Sequence, residues 1–203
     1  MTSQSSTDDL SYGWEAIAQD FISSRSSIGL ATIENWGKSL EPRQVLLDVG
    51  CGFGEPYTQY FIDKGVSVYG IDASKTLVQE YERRFPEAIA KYESAETSLF
   101  FDKKFDAILS VGLIFLLPHS TQISVLRKMA ISLKDGGNLL FSAPCQIVSW
   151  DDLLTGRKSM SLGREKYINT LNEHGLSLVG EYTDEGNNYY YNFQKSIVPE
   201  VGH

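Results

Sequence analysis

Apolar runs of strand length alternate with amphipathic stretches of helix length along most of this chain. That rhythm predicts a parallel sheet with helices on both faces, because each parallel crossover needs a helix. It begins late. Trp14, Ile17, Ala18, Phe21 and Ile22, then Ile28, Ile33 and Trp36, read as one or two amphipathic helices before the first strand, parted by the serine-rich Ser23 to Ser27. Val45 to Val49 is the first strand, and a Gly-rich turn leads from it into a helix from about Glu55 to Lys64. Val66 to Ile71 is the second strand, ending on Asp72, with Ser74 as the cap of a helix running to Phe85. A short third strand falls around Ala88 to Tyr92. The near-continuous apolar run Phe105 to Val111 predicts a central strand buried on both faces. A helix from Ser120 to Leu133 is expected to stop at Lys134-Asp135-Gly136-Gly137, by a cation in its last turn and a glycine past its end, before a fifth strand at Asn138 to Ala143. Periodicity is lost from Pro144 to Leu162, which predicts a functional loop. A helix at Arg164 to His174 and strands at Leu176 to Glu181 and Tyr189 to Gln194 follow. The turn chemistry of Gly186-Asn187-Asn188 makes the last two strands antiparallel.

Composition narrows this picture. A chain of 203 residues with a 42% apolar share fits one domain around one core. We divide it into an N-terminal helical cap (1–40), the α/β domain (41–196) and a disordered tail (197–203). The net charge of −8, with no visible basic cluster, speaks against a nucleic-acid partner. Cys51 and Cys145 have no metal-ligand spacing and make no disulfide framework, so no metal is expected and a reducing, cytoplasmic setting is. Residues 1–10 lack the pattern of a secretory signal, and the longest apolar stretch, Ala107 to Leu117, is about half the roughly 20 residues of a membrane span. A soluble protein without a membrane partner is expected.

The chemistry concentrates at Asp48-Val49-Gly50-Cys51-Gly52-Phe53-Gly54. Three glycines between a strand and a helix let the backbone pass close to a bound molecule and aim free N–H groups at it. The spacing is one residue tighter than the Gly-x-Gly-x-x-Gly of dinucleotide binding, and Glu55 stands in the third glycine's place. A nicotinamide-dependent oxidoreductase is therefore disfavoured, and no P-loop is present. A carboxylate at the end of a buried strand is costly unless hydrogen-bonded or facing a cation, so Asp48 implies a positively charged partner. Asp72, ending the second strand, sits where a ribose-binding carboxylate belongs; the competing explanation is that it merely opens the helix capped by Ser74.

These residues, with Gly70-Ile-Asp72-Ala73-Ser74, Phe105-Asp106-Ala-Ile and Leu133-Lys-Asp-Gly-Gly137, resemble the class I S-adenosylmethionine-dependent methyltransferases from about Val45 to Ala143. The resemblance implies a Rossmann-like, three-layer α/β/α fold, its seven-stranded, mainly parallel sheet having an antiparallel last strand. It implies S-adenosylmethionine as cofactor, in-line methyl transfer to a small-molecule acceptor, the Asp48 to Gly54 loop near the methionine part, Asp72 with Ala73 and Ser74 on the ribose, and Ser110 lining the site. The sulfonium and ammonium groups would supply the positive charge that Asp48 needs. A non-catalytic regulator that binds the same cofactor is the alternative. Ser161-Leu-Gly163 and Asp184 to Tyr190 resemble a small bacterial subgroup. At the adenine position this chain departs from the family's acidic residue: Ser94 stands there, in Glu93-Ser94-Ala95-Glu96. Either Glu93 or Glu96 takes the role after a small shift, or the backbone around Ala95 does so with Ser94 assisting.

Methyl transfer needs alignment more than a base, so no catalytic residue is obvious. His119, Tyr189 and Tyr191 are candidates, against a capping or solvated histidine and plain sheet packing. Trp14, Phe21 and Arg25 before the sheet, and Trp150 in the aperiodic stretch, are expected as lid or substrate residues, with Arg25 facing a carboxylate or else solvent.

Overall fold

The computed structural model describes residues 9–197. Two helices, α1 (Trp14–Ser24) and α2 (Leu30–Gly37), precede β1 (Val45–Val49), α3 (Thr58–Asp63), β2 (Ser67–Asp72), α4 (Lys75–Arg84) and β3 (Ile89–Tyr92). Then come β4 (Phe105–Ser110), α5 (His119–Ser132), β5 (Leu133–Ser142), β6 (Ile147–Asp151), β7 (Lys158–Leu162), α6 (Arg164–Asn172), β8 (Leu176–Thr183) and β9 (Tyr189–Lys195). Seven strands form one sheet in the order β3-β2-β1-β4-β5-β9-β8, and only β9 runs antiparallel, to both its neighbours. The strand order reverses direction between β1 and β4, so a crevice opens outside the carboxyl ends of these two strands.

Alternation along each strand splits the core into two layers. Leu47, Ile108, Leu139, Phe141 and Tyr191 face α5 and α6, where Val125, Met129, Tyr167 and Leu171 are buried. Leu46, Ala107, Leu109, Leu140 and Tyr190 face the opposite way, onto Ile33 and Trp36 of α2 and Phe61 of α3. Of the segment expected as an N-terminal cap, α2 thus belongs to the helical layer, and α1 packs against α4. The expected tail begins at Ile197; residues 198–203, His203 among them, lie outside the described residues.

Three local expectations are corrected. The aperiodic stretch 144–162 contains a β-hairpin, β6 paired with β7, in which Ile147 and Val148, on opposite faces of β6, are both exposed, so the usual alternation is hidden. The helix before β5 does not end on a glycine. Its cap residue Leu133 is already extended and starts β5, and Gly136 and Gly137 lie within that strand. A side chain at Gly137 would meet the carbonyl oxygen of Asp106 at 2.9 Å, so close strand packing is what requires glycine there. Lys134 belongs to the same strand and pairs with Asp106 at 2.8 Å.

Candidate functional site

The glycine loop after β1 turns back on β2. Gly50, Gly52 and Gly54 all have positive φ, and the N–H groups of Gly50 and Cys51 donate to Ile71 O. Gly52 N–H donates to Asp72 Oδ2 at 2.9 Å, and Ser74 N–H to Asp72 Oδ1 at 2.8 Å. The Asp72 carboxylate is therefore held square across the loop, and each oxygen keeps a second lone pair for a ligand. Asp48 and Asp72 both line a cavity of about 280 Å³ outside the ends of β1 and β4. Burial, then the Asp72 charge, lifts Asp48 to about 7 against a smaller opposing pull from Arg25; burial lifts Asp72 to about 6, with a smaller contribution from Glu15. Neither carboxylate makes an ion pair among the described residues. Two acids raised in this way, beside a glycine loop at positive φ, suit a ligand carrying positive charge and hydroxyl donors.

The N-terminal segment closes the cavity. Trp14, Phe21 and Arg25 line it, with Phe21 edge-on to both Trp14 (5.0 Å) and Phe53 (5.7 Å). Arg25 is not in solvent: it donates to Glu55 O at 3.1 Å and to Tyr57 Oη at 3.1 Å, beside the rings of Phe21 and Tyr57. Two tethers hold the segment down. Glu15 accepts from Ser74 Oγ at 2.5 Å and from Thr76 N–H and Oγ1 at 3.1 and 2.8 Å, and Tyr12 donates to Glu96 Oε1.

After β3, Ala95 and Glu96 line the cavity. Glu96 Oε2 is buried with no partner, whereas Glu93 accepts from Ser98 Oγ at 2.6 Å and lies near Lys91. Ser94 turns its hydroxyl to Thr97 and does not line the cavity. Of the three possibilities at the base position, Glu96 is the side chain that lines the cavity and, among the described residues, has an oxygen without a hydrogen-bond partner. Lys128 of α5 fixes this loop from behind, donating to Ala95 O, Glu96 O and Ser98 O at 2.5, 3.1 and 2.8 Å.

Other expected site residues lie elsewhere. Ala73, Cys51 and Gly50 line the cavity, but Ser74 caps α4 by accepting from Leu77 N–H at 3.2 Å. Ser110 is fully buried, donating to Val49 O at 2.9 Å, and Gly54 packs on Phe85. His119 begins α5 on the surface, beside the β6–β7 hairpin and outside the cavity. Trp150 reaches the cavity only through Phe115, 5.4 Å away. Tyr191 is core, stacked on Phe141, and Tyr189 donates to Glu181 at 2.5 Å. Their neighbour Tyr190, on the opposite face, lines the cavity and donates to Asp184 at 2.8 Å. Reading alternation alone separates the two faces but not which one meets the crevice. Tyr12, Tyr57 and Asn188 also line it and carry no motif that marks them.

All three cavity phenols have their single proton committed: Tyr12 to Glu96, Tyr57 to Ile28 O at 3.1 Å, and Tyr190 to Asp184. Burial raises the hydroxyls of Tyr57 and Tyr190 above the usual phenol value. Neither is an available base.

Residues 46–137 match the family model for a methyltransferase domain. Over 137 residues the chain is 31% identical to a 2-methyl-6-phytyl-1,4-hydroquinone methyltransferase of Synechocystis, an alignment covering 65% of this chain and 42% of the relative, so the match spans less than half of that protein's length. Among solved structures it is similar to the CcbJ methyltransferase of Streptomyces caelestis (14% identity, TM-score 0.73, covering 94% of this chain and 100% of the other). It is likewise similar to the 1,6-didemethyltoxoflavin-N1-methyltransferase of Burkholderia thailandensis (15% identity, TM-score 0.70, covering 96% and 93%).

Proposed function

We propose that this chain is a class I S-adenosylmethionine-dependent methyltransferase that methylates a small molecule in the cavity under α1. The observation that carries the reading is the pair of buried, raised carboxylates, Asp48 and Asp72, that line the cavity beside the glycine loop and make no ion pair among the described residues. The residues fit the cofactor. Asp48 faces its ammonium group, Asp72 its ribose hydroxyls and Glu96 Oε2 its base, while Gly50 and Gly52 admit its methionine part. Among the described residues Arg25 is the one basic side chain lining the cavity, and it suits the cofactor's carboxylate. Bound there, S-adenosylmethionine supplies a methyl carbon already activated by a positively charged sulfur. This chain then has only to align the acceptor and exclude water. Gly112, whose α-carbon faces open space, leaves room for the acceptor, and Phe115 and Tyr190 bound it. Tyr57 and Tyr190, their protons committed, bound the acceptor space rather than act as its base.

The acceptors named for the relatives, a hydroquinone and an N-heterocycle, are small ring compounds, and an apolar, aromatic-walled cavity suits an acceptor of that class. Net charge argues against nucleic acid. Among the described residues no helix is long and apolar enough to cross a membrane, and two free cysteines fit a cytoplasmic setting. Calorimetry tests the reading: S-adenosylmethionine and S-adenosylhomocysteine bind and nicotinamide dinucleotides do not. Equal or tighter binding of NAD would overturn it.

A further inference from the structure

Lys128 of α5 is a cation that does not line the cavity, yet its donors go to a segment that does. An ammonium group has three N–H donors, and here they reach Ala95 O, Glu96 O and Ser98 O at 2.5, 3.1 and 2.8 Å. Ala95 and Glu96 are part of the cavity wall. Burial pulls Lys128 below the ordinary lysine value, against the charges of Glu96 and Glu93. With water partly removed, the three carbonyls and the ring of Phe100, 4.6 Å from Nζ, are what solvate the charge.

The turn so held has a second attachment. It begins beside Asp72, whose carbonyl oxygen accepts from Glu93 N–H at 3.0 Å, and it closes on itself through the N–H groups of Thr97 and Ser98, which donate to Ser94 O at 3.2 and 2.9 Å. Among the described residues, two side chains hydrogen-bond to it from other parts of the chain: Lys128, and Tyr12, which donates to Glu96 Oε1. Tyr12 lies two residues before α1, so Glu96 is an anchor of the N-terminal segment as well as part of the cavity wall. Carbonyl oxygens drawn to one point repel one another unless a cation stands there. Without Lys128 the turn loses what fixes Ala95 and Glu96 to α5, and the wall and the anchor loosen together.

We propose that Lys128 is a positioning residue that acts through the backbone of Ala95 and Glu96, holding at once the cavity wall that meets the cofactor's base and the anchor of the segment that closes the cavity. This rests on the proposed cofactor site, in which the turn after β3 meets the base.

The test compares Lys128→Met, which keeps an unbranched side chain and removes the charge, with Lys128→Arg, which keeps the charge. The ligands are S-adenosylhomocysteine and S-inosylhomocysteine, in which a carbonyl oxygen replaces the adenine amino group. The wild type should prefer the first. Lys128→Met should bind S-adenosylhomocysteine about tenfold or more weakly, the size of one charge-assisted hydrogen bond. It should also lose part of the preference between the two bases and exchange the amide hydrogens of α1 faster, and Lys128→Arg should stay closer to the wild type in all three. Thermal melts without ligand check folding, and Lys128→Gln, which has two N–H donors and no charge, replaces the Met variant if that one does not fold. Unchanged affinity in the uncharged variant, weaker affinity with either the base preference or the α1 exchange of the wild type, or an Arg variant no closer to the wild type would each overturn the proposal. So would a wild type that prefers neither base. A wild type that does not bind S-adenosylhomocysteine at all would instead overturn the cofactor reading beneath it.

Discussion

Gly52 and Gly54 stand two residues apart in one loop, yet a methyl group added at each meets a different neighbour. At Gly52 it finds only Phe21 Cε1 at 3.7 Å; at Gly54 it strikes Phe85 Cε2 at 2.4 Å. Gly52→Ala should therefore fold, at a cost of about 1–2 kcal/mol for the left-handed backbone, and lose cofactor binding in calorimetry. Gly54→Ala should instead lose stability in thermal melts, by about 1–3 kcal/mol for overpacking. The spacing of the loop was legible in the sequence; which glycine serves ligand and which serves packing depends on Phe85, 31 residues away along the chain. Ser74, Ser94 and Ser110 teach the same limit, because a hydroxyl near a site in sequence is as readily spent on a helix cap, a turn or a carbonyl. The raised carboxyls have a pH signature. A carboxyl whose pKa rises on folding holds its proton more tightly in the native state, so this contribution to stability is full below about 4 and falls as pH rises to about 7. A cationic ligand favours the ionised pair. The rise in melting temperature at saturating S-adenosylmethionine should be larger at pH 8 than at pH 5; an equal rise would detach Asp48 and Asp72 from the ligand.

Among the elements, the parallel strands and their crossover helices were readable because each buries a continuous or alternating apolar pattern. The β6–β7 hairpin was not, since Ile147 and Val148 are exposed and polar Ser159 and Ser161 are buried. The two leading helices were visible in outline but not in role. Trp36 and Ile33 make α2 a core helix, while α1 is held at the cavity by side-chain tethers and by Ala18 and Phe21 against Phe53 and Leu77. Removing residues 1 to 28 keeps Gly29, whose carbonyl accepts from Ile33 N–H at 3.0 Å to start α2. The shortened protein should keep its far-ultraviolet circular dichroism apart from one helix, bind the cofactor more weakly and lose most turnover. Full activity on an acceptor would show α1 to be dispensable.

At the scale of the whole molecule, the order of strands in space differs from their order in the chain at one place that matters. Among the described residues β9 is the last strand along the chain, yet it lies inside the sheet, bonded to β5 on one side and to β8 on the other. Until residues 189–195 are clear of the ribosome, β5 and β8 each offer an unpaired edge to whatever is nearby. The nascent chain can form the glycine loop, β1, β2 and β4 early, but Tyr190, which reaches the cavity from β9, arrives only with that final insertion. On the proposed reading, the elements that would hold the cofactor are therefore synthesised well before Tyr190 can close the acceptor side of the cavity.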